Sequence, residues 1–476
     1  MKQKRFWNSK LFWIIIAFVF SVGLVIIVVI FKFIYTFQPS FYSYSSYVDP
    51  QTVKQINKKY TYKEYASANE FEFALENNKA IAGIGSDYSI VSLIRQGKIA
   101  PIRKEMEKII KKQYPFTTPL SWEDYWTEEA KQQMQEYDKY LKTEETQFFL
   151  KEKFNDPNDP KNPNNYDEFK FSDFVVPYFI NDKVIALDTK KIWNKIDMTQ
   201  EDVIKELKLD SQNAPTLEKV LEALNTSNSN IKIQWTKNER ENVVLGDTIS
   251  NPKEKWNTEI TENNYLEWLN NFAKIVKDGT GFSMDNTNKN LFDTDSDIIL
   301  NNLINPTSKI NVTMIYNGDA LDAYYGHDNF QSIQDGDRVR IIRSNYTVRV
   351  LDCFVVSSSI SQNEKEKLLN NFNELLFNGM FSDENELKKI DEKDEILFNE
   401  NGIIKIFDYV NYTPAAAGAY YYILNNYFED DEYAKYIYTV AKTDEKLGIY
   451  VKGIAPIEKN VLSKLTLAFQ KKINGY

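Results

Sequence analysis

The chain has 476 residues, with 58 basic and 68 acidic side chains and a formal net charge of −10 at pH 7. An acidic surface disfavours nucleic-acid binding and mildly favours cationic ligands. The single cysteine, Cys353, excludes an intramolecular disulfide framework. The single histidine, His327, excludes histidine-rich metal sites and leaves one base for a nucleophile–histidine triad. We predict no catalytic residue, no cofactor and no metal site.

Residues 11–34 are an almost unbroken apolar run, and basic side chains precede it in residues 1–10. As a helix, the run before Lys32 spans about 30 Å, which is the thickness of a bilayer's hydrocarbon core. A basic flank keeps the N-terminus in the cytoplasm. The pattern predicts a single-pass transmembrane signal-anchor at the cell membrane with the main domain outside. A lipid anchor is not expected, because a lipoprotein needs a cysteine just after the apolar run. The alternative is cleavage at an atypical site.

Beyond the apolar run, strands and helices are predicted to alternate. Residues 40–50 are β-prone, and residues 51–80 carry two short helical patterns. The stretch AIAGIGSDYS predicts a buried strand that ends at Gly85, and DYSIVSLIRQGK predicts the helix after it. Charged helical patterns then fill residues 104–170, which end in a loop rich in Pro, Asn and Asp. This region is predicted to be a surface insertion.

The second half of the chain continues the alternation. Two strands are predicted on either side of residue 180, and further strands at 231–235, within 311–320 and at 346–357. Helices are predicted from PTLEKVLEALN, NEKEKLLNNFNELLFNG and VLSKLTLAFQKKING, and the last two close at Asn-Gly. Alternating strands and helices predict an α/β architecture.

Small or polar residues follow several of the predicted strands. In open α/β sheets, ligands bind beyond the carboxyl ends of the strands. Asn238 and Glu241 are three residues apart on a predicted helix and should project from one face. Asp352 lies in an apolar strand, where an acid is costly to bury. It is therefore either a ligand-binding carboxylate or the partner of an internal lysine or arginine.

The order of these segments resembles the spermidine/putrescine-binding proteins of bacterial ABC importers. The similar stretches are FYSYSSYVDP, NKAIAGIGSDYSIVSLIRQGKIAPI, FVVPYFINDKVIALD, TKNERE, MIYNGDA, RVLDCFVV and NYTPA. The resemblance implies the two-lobed type II periplasmic-binding-protein fold behind the transmembrane helix. It implies lobe 1 at 38–180 with the insertion 104–170, lobe 2 at 181–350, and a return to lobe 1 with closing helices at 351–476.

The resemblance also implies ligand-binding positions, although several residue types differ from the family pattern. Two of its carboxylate positions are neutral here, at Ser46 and Asn238, and one of its tryptophan positions is Val350. Asp319 is a candidate replacement carboxylate, and a helix cap is the commoner role for an aspartate in this position. The full set of predicted ligand-binding residues is Tyr44, Ser46, Tyr47, Ser86, Tyr88, Asn238, Glu241, Tyr316, Asp319, Asp352 and Tyr412.

These residues suit a polyamine, a string of ammonium groups joined by methylene runs. Carboxylates at Glu241 and Asp352 would pair with ammonium groups, and the tyrosines would offer cation–π faces. The predicted function is therefore capture of a polyamine and its delivery to ABC permease and ATPase subunits. Another small cationic ligand, a surface adhesin, and a glycosidase with Glu241 and Asp352 as its two carboxylates are the alternatives.

Overall fold

The computed structural model describes residues 10–34, 38–113, 120–158, 165–327, 330–393, 402–428 and 430–476. In chain order, its helices α1 to α21 are Lys10–Ile34, Pro50–Ile56, Ala68–Glu76, Asp87–Arg95, Arg103–Gln113, Glu128–Asp138, Glu144–Phe154, Thr189–Trp193, Gln200–Glu206, Leu217–Ser227, Glu239–Val243, Asp247–Ser250, Tyr265–Thr280, Ser296–Ile304, Asn317–Tyr324, Gln362–Leu375, Glu384–Lys393, Gly402–Val410, Ala417–Asn426, Glu432–Tyr438 and Lys459–Asn474. The strands β1 to β10 are Ser40–Tyr44, Thr61–Tyr65, Ala82–Ser86, Val176–Asp188, Ile233–Thr236, Asn290–Asp293, Val312–Tyr316, Val339–Ile342, Tyr346–Val356 and Tyr450–Gly453.

The N-terminal apolar run forms helix α1. Within the described ranges, no helix meets the combined requirement of length and apolarity for crossing a membrane. The predicted transmembrane segment 11–34 is therefore not supported as a span. The predicted basic flank 1–10 lies almost entirely outside the described residues.

The strands form two lobes that share β4 and β9. The order across the sheet is β2-β1-β3-β9-β4-β7-β5-β6, with β10 on β9 and β8 on β4. In lobe 1, β1 is parallel to β2 and β3, and β9 is antiparallel to β3. In lobe 2, β5 is parallel to β6 and β7, and β4 is antiparallel to β7 and β8. Helices cover these strands, so the predicted α/β class is confirmed.

Strand β4 is continuous, whereas two strands were predicted around residue 180. Its first half pairs with β9 in lobe 1, and its second half pairs with β7 and β8 in lobe 2. The polar triplet Asn181, Asp182 and Lys183 lies in the middle and is buried. The division into two strands was wrong because these polar side chains are paired with other buried groups in the folded chain. Arg343, for example, donates two hydrogen bonds to the Asp182 carboxylate, of 2.8 and 3.2 Å.

One strand of lobe 1, β2, was not predicted. Residues 51–80 form α2, β2 and α3, so the two predicted helices flank a strand at the edge of the sheet. The sequence TYKEY of β2 has little apolar content because four of its five residues, 61–64, are exposed or half-buried. An edge strand of this kind carries a weak hydrophobic signal.

The segment 104–170 is part of the lobe 1 core rather than a purely surface insertion. Gln133 of α6 is fully buried and donates hydrogen bonds to Asp87 Oδ2 (2.8 Å) and to the Arg349 carbonyl (3.1 Å). Tyr137, one helical turn later, donates to the Ile454 carbonyl at 2.7 Å. The charged residues of this region cover one face of its helices, and the other face packs inward.

The C-terminal region 351–476 has helices in contact with both lobes. Helix α16 packs on α2 and α5 of lobe 1. Helix α20 packs on α15, and α21 packs on α13, so both lie on lobe 2. Apolar side chains of α21, such as Leu465 and Phe469, are fully buried in that contact.

Candidate ligand-binding cleft

A cavity of about 350 Å³ lies between the lobes, beyond the carboxyl ends of β1, β3, β5 and β7. Its size falls in the range of small-molecule sites, and its position follows the rule for ligand sites in open α/β sheets. All eleven predicted ligand-binding residues line it: Tyr44, Ser46, Tyr47, Ser86, Tyr88, Asn238, Glu241, Tyr316, Asp319, Asp352 and Tyr412. Their shared location is thus established, and their contact with a ligand stays a prediction.

Asp352 lies on β9 directly opposite Ser86 of β3. Its carboxylate accepts hydrogen bonds from the Tyr47 hydroxyl at 2.6 Å and from Ser86 Oγ at 2.9 Å. Burial raises the pKa of Asp352 to about 6. Among the described residues Asp352 has no ion pair with a lysine or arginine, and its hydrogen bonds go to Tyr47 and Ser86 instead.

Asp319 lies in the first turn of α15 and faces the same cavity. It accepts hydrogen bonds from the Tyr412 hydroxyl at 2.5 Å and from the Tyr316 backbone N–H at 3.3 Å. Burial raises its pKa to about 7. The two interpretations of Asp319 therefore coexist, because one carboxylate caps the helix and also lines the cleft.

Gly318 explains how Tyr412 comes so close to Asp319. The Tyr412 ring covers the Gly318 backbone, and a Cβ at this position would lie 2.1 Å from Tyr412 Cδ1. Any larger side chain would displace the ring. The Asn-Gly-Asp sequence after β7 thus provides the close approach as well as the carboxylate.

Three tyrosines lie beside and between the two carboxylates. Tyr44 shares a 2.6 Å hydrogen bond with Ser86 Oγ, and its ring lies 5.5 Å from that of Tyr47. Tyr47 in turn meets Tyr412 edge-to-face, with ring centroids 5.3 Å apart. Because Tyr47 donates to Asp352 and Tyr412 donates to Asp319, an aromatic pair separates the two carboxylates.

Glu241 differs from the other two carboxylates because it has a basic partner. Lys183 of β4 donates to Glu241 and to Thr236 Oγ1, and both members of this ion pair are about 96% buried. Tyr316 and Asn238 also donate to Glu241, the Asn238 amide at 2.5 Å. The prediction that Asn238 and Glu241 share a face is confirmed. Lys183 was not among the predicted residues, although it is a charged residue inside a buried strand.

Arg240 of lobe 2 reaches across the cleft to lobe 1. Its guanidinium donates to Glu72 Oε1 at 2.8 Å, to Asn69 Oδ1 at 3.0 Å and to Ser89 Oγ at 3.2 Å. It also lies over the Tyr88 ring, 5.1 Å from the centroid. Arg240 was not among the predicted residues, although it lies between Asn238 and Glu241.

The cleft floor also includes Asn181, which the sequence analysis did not select. Asn181 is 2% exposed, and its Oδ1 has no hydrogen-bond partner among the described residues. It pairs with Val350 of β9, two residues before Asp352. Buried polar atoms are normally satisfied, so this amide can accept a hydrogen bond from a ligand.

The lining carries more negative than positive groups. The acidic lining residues are Glu239, Glu241, Asp295, Asp297, Asp319, Asp322 and Asp352, and the basic ones are Lys237 and Arg240. A cleft with charge of one sign raises the local concentration of the opposite ion. Over the part of the chain that the structure describes, no cluster of three His, Cys, Asp or Glu side chains could hold a metal. The arrangement suits an organic cation.

Solved structures with a similar fold come from ABC transport systems. The chain is similar to a spermidine/putrescine ABC transporter protein from Listeria monocytogenes, at 14% identity, with a TM-score of 0.53 and 91% of this chain and 98% of that chain covered. This likeness shows the fold and confirms the predicted type II periplasmic-binding-protein architecture.

Two further similar structures have TM-scores below 0.5. The substrate-binding protein PotD from Streptococcus pneumoniae is 13% identical, with a TM-score of 0.48 and coverage of 92% of this chain and 99% of that chain. The acarbose-binding GacH receptor from Streptomyces glaucescens is 8% identical, with a TM-score of 0.49 and coverage of 92% and 94%. A search of curated protein sequences finds no match.

A family model described as a hypothetical lipoprotein (MG045 family) matches residues 7–421. A lipoprotein needs a cysteine just after its apolar run, whereas the one cysteine of this sequence, Cys353, is buried in β9. The match nevertheless extends over most of the chain and includes every predicted ligand-binding residue. The chain therefore belongs to the hypothetical lipoprotein (MG045) family.

Proposed function

We propose that this protein is the extracytoplasmic solute-binding subunit of an ABC importer and that it captures a small organic cation of the polyamine class. The observation that carries the proposal is the pair Asp352 and Asp319. Both carboxylates are buried in the cleft wall and held by tyrosine hydroxyls, and neither belongs to a described ion pair. An ammonium group would supply the missing positive charge and take further charge-assisted hydrogen bonds.

The tyrosines supply the second requirement of such a ligand. Methylene groups between the ammonium groups need an apolar surface, and the rings of Tyr44, Tyr47 and Tyr412 offer one. Ring faces also attract cations, by about 0.5–1 kcal/mol each at exposed sites and more when water is excluded. The Listeria monocytogenes protein of similar fold, described as a spermidine/putrescine ABC transporter, is consistent with a solute-binding role.

Closure of two lobes over a solute and docking of the closed form on a permease require no covalent chemistry. The glycosidase alternative needs Glu241 as a free acid or base. The buried pairing of Glu241 with Lys183 removes that freedom. We therefore assign the protein a transport role, with ABC permease and ATPase subunits as its partners.

A thermal-shift titration of the full chain in detergent tests the ligand class. Spermidine and putrescine at millimolar concentration should raise the unfolding temperature, because a ligand that binds only the folded state stabilises it. Maltose and glutamate serve as controls and should have no effect. A shift with maltose and none with the amines would contradict the proposal, and turnover of an oligosaccharide would favour the glycosidase.

We also propose that the N-terminal helix attaches the protein to the membrane. Its described side chains are apolar and exposed on several sides, for example Trp13, Phe18 and Phe20, at 64–71%. Leaving such a surface in water is unfavourable, at about 25 cal/mol per Å². Retention in the membrane pellet after alkaline extraction would support attachment, and release into the supernatant would contradict it.

A further inference from the structure

We propose that Glu72 and Asn69 of lobe 1 form a second cation-binding subsite, which takes an ammonium group of the solute while the lobes are apart and which Arg240 occupies when they come together. The inference rests on the proposed function and adds a binding position to it. The subsite is continuous with the cleft, because Asn69, Tyr88 and Arg240 line the same cavity as Asp352.

The subsite is assembled on lobe 1 alone. Glu72 and Asn69 lie on α3, Ser89 lies on α4, and these two helices pack against each other. The Ser89 hydroxyl donates a hydrogen bond of 2.6 Å to Glu72 Oε1, so the carboxylate is oriented by its own lobe. Tyr88, next to Ser89 on α4, adds an aromatic ring. The carboxylate, the hydroxyl that orients it and the ring therefore stay together when lobe 2 moves away.

The contacts of Arg240 show which chemistry the subsite accepts. The Nη2 atom alone contacts both Glu72 Oε1, at 2.8 Å, and Asn69 Oδ1, at 3.0 Å. The guanidinium carbon lies 5.1 Å from the centroid of the Tyr88 ring, and a ring face within about 6 Å attracts a cation. A primary ammonium group likewise offers one charged nitrogen, with three N–H donors. The Nη2 atom therefore stands in for the ammonium nitrogen of a ligand.

Arg240 can occupy the subsite only while the lobes are together. It belongs to α11 of lobe 2, so separation of the lobes withdraws the guanidinium from Glu72. An ammonium group of the solute can then take the same charge-assisted hydrogen bonds. Arg240 and the solute thus compete for one carboxylate, and closure of the lobes transfers Glu72 from the solute to Arg240.

Stopped-flow association of putrescine with the full chain in detergent, followed by intrinsic fluorescence, tests the role of Glu72. We expect Glu72→Gln to lower the association rate constant about tenfold, because the open lobe loses a carboxylate that attracts the amine. If Glu72 served only as the partner of Arg240, its loss would raise the open population and with it the rate constant. An equal or higher rate constant would overturn the inference.

Glu70→Gln is the charge-matched control, because Glu70 is an exposed carboxylate on the same helix. A decrease in Glu72→Gln that is no larger than in Glu70→Gln would overturn the inference, since it would reflect only the net charge of the lobe. Absence of putrescine binding by the unmodified protein would instead contradict the proposed function, and the inference with it.

An equilibrium measurement separates ligand contact from contact between the lobes. In Arg240→Met the ion pair is already absent, so a further change at Glu72 does not act through it. We expect calorimetry to show that putrescine binds the variant carrying both Arg240→Met and Glu72→Gln about tenfold more weakly than it binds Arg240→Met, the equivalent of one charge-assisted hydrogen bond. Equal affinities of these two variants would overturn the inference.

Discussion

The guanidinium of Arg240 and the carboxylate of Glu72 form an ion pair across the cleft, with 2.8 Å between Nη2 and Oε1. Arg240 lies in lobe 2 on α11, and Glu72 lies in lobe 1 on α3. Asn238 adds a second contact between the lobes through the Tyr88 hydroxyl at 3.3 Å. The described conformation is therefore one in which the lobes hold each other directly.

Glu72→Gln should loosen this contact. Arg240 is buried, and loss of a partner from a buried ion pair costs on the order of 3 kcal/mol. We expect a lower unfolding temperature and a larger radius of gyration in small-angle scattering. Glu206→Gln is the matched control, since its pair with Lys195 is largely exposed and worth about 0.5 kcal/mol. Equal effects of the two substitutions would contradict a role of the Arg240–Glu72 ion pair in holding the lobes together.

Asp352→Asn should separate stability from binding. The substitution keeps an acceptor for the Tyr47 hydroxyl, places an amide N–H that can donate to Ser86 Oγ, and removes a buried carboxyl whose pKa is raised to about 6 by burial. We expect an unfolding temperature equal to or above that of the unmodified protein, together with loss of the stabilisation by amines. Asp210→Asn, at an exposed site, is the control. A retained amine shift in Asp352→Asn would show that the carboxylate does not bind the ligand.

Amine affinity should increase between about pH 5.5 and 7.5. Burial raises the pKa of Asp352 to about 6 and of Asp319 to about 7, and an ammonium ligand requires both groups ionised. Binding near pH 6 should release protons, which calorimetry detects as a dependence of the heat on the buffer. A pH-independent affinity without proton release would contradict this prediction.

The stability of the ligand-free protein should decrease as the pH rises, whereas the amine affinity should increase. The folded pKa values of Asp352 and Asp319 lie above the value of about 3.9 of an unfolded aspartate. The folded state therefore binds more protons between about pH 4 and 7, and its stability falls as the pH rises through that window. Asp87, whose pKa burial raises to about 7, contributes with the same sign. Thermal unfolding across this range measures the slope, which Asp352→Asn should reduce.

Asn181→Leu should weaken amine binding without weakening the fold. The Asn181 Oδ1 atom is buried and has no partner among the described residues, so its removal leaves no donor unpaired. We expect affinity to fall about tenfold and stability to stay equal or rise by up to about 1 kcal/mol. Asn373→Leu is the control: this amide is buried in lobe 1, and it donates to Gln113. That variant should lose stability and keep its affinity, and the reverse pattern would contradict the role of Asn181.

Sequence patterns predicted the main elements because their periodicity matches their burial. Helix α10 begins after Thr216, whose hydroxyl accepts from the Lys219 N–H, and α21 ends at the left-handed Gly475. Edge strand β2 was missed because its side chains are mostly half-buried or exposed. Strand β4 was divided in error because Asp182 and Lys183 find buried partners only in the folded chain.

The position of the cleft was predictable, but its charge pattern was not. The ends of β1, β3 and β7 and the loop before α11 could be aligned with a known family, and all the selected residues line one cavity. Lys183, Arg240 and Asn181 were missed since their roles depend on which strand pairs with which. A lysine 58 positions before Glu241 becomes its partner only when β4 passes through both lobes.

The uninterrupted course of β4 also has a mechanical consequence. Rotation of lobe 2 against lobe 1 must bend the strands that both lobes share, and in β4 the change from lobe 1 pairing to lobe 2 pairing falls between Asp182 and Lys183. Asn181, next to this change of pairing, lines the cleft. Opening of the lobes would therefore move Asn181 and Lys183 relative to Asp352, so that release of the solute and the swing of the lobes are one and the same displacement.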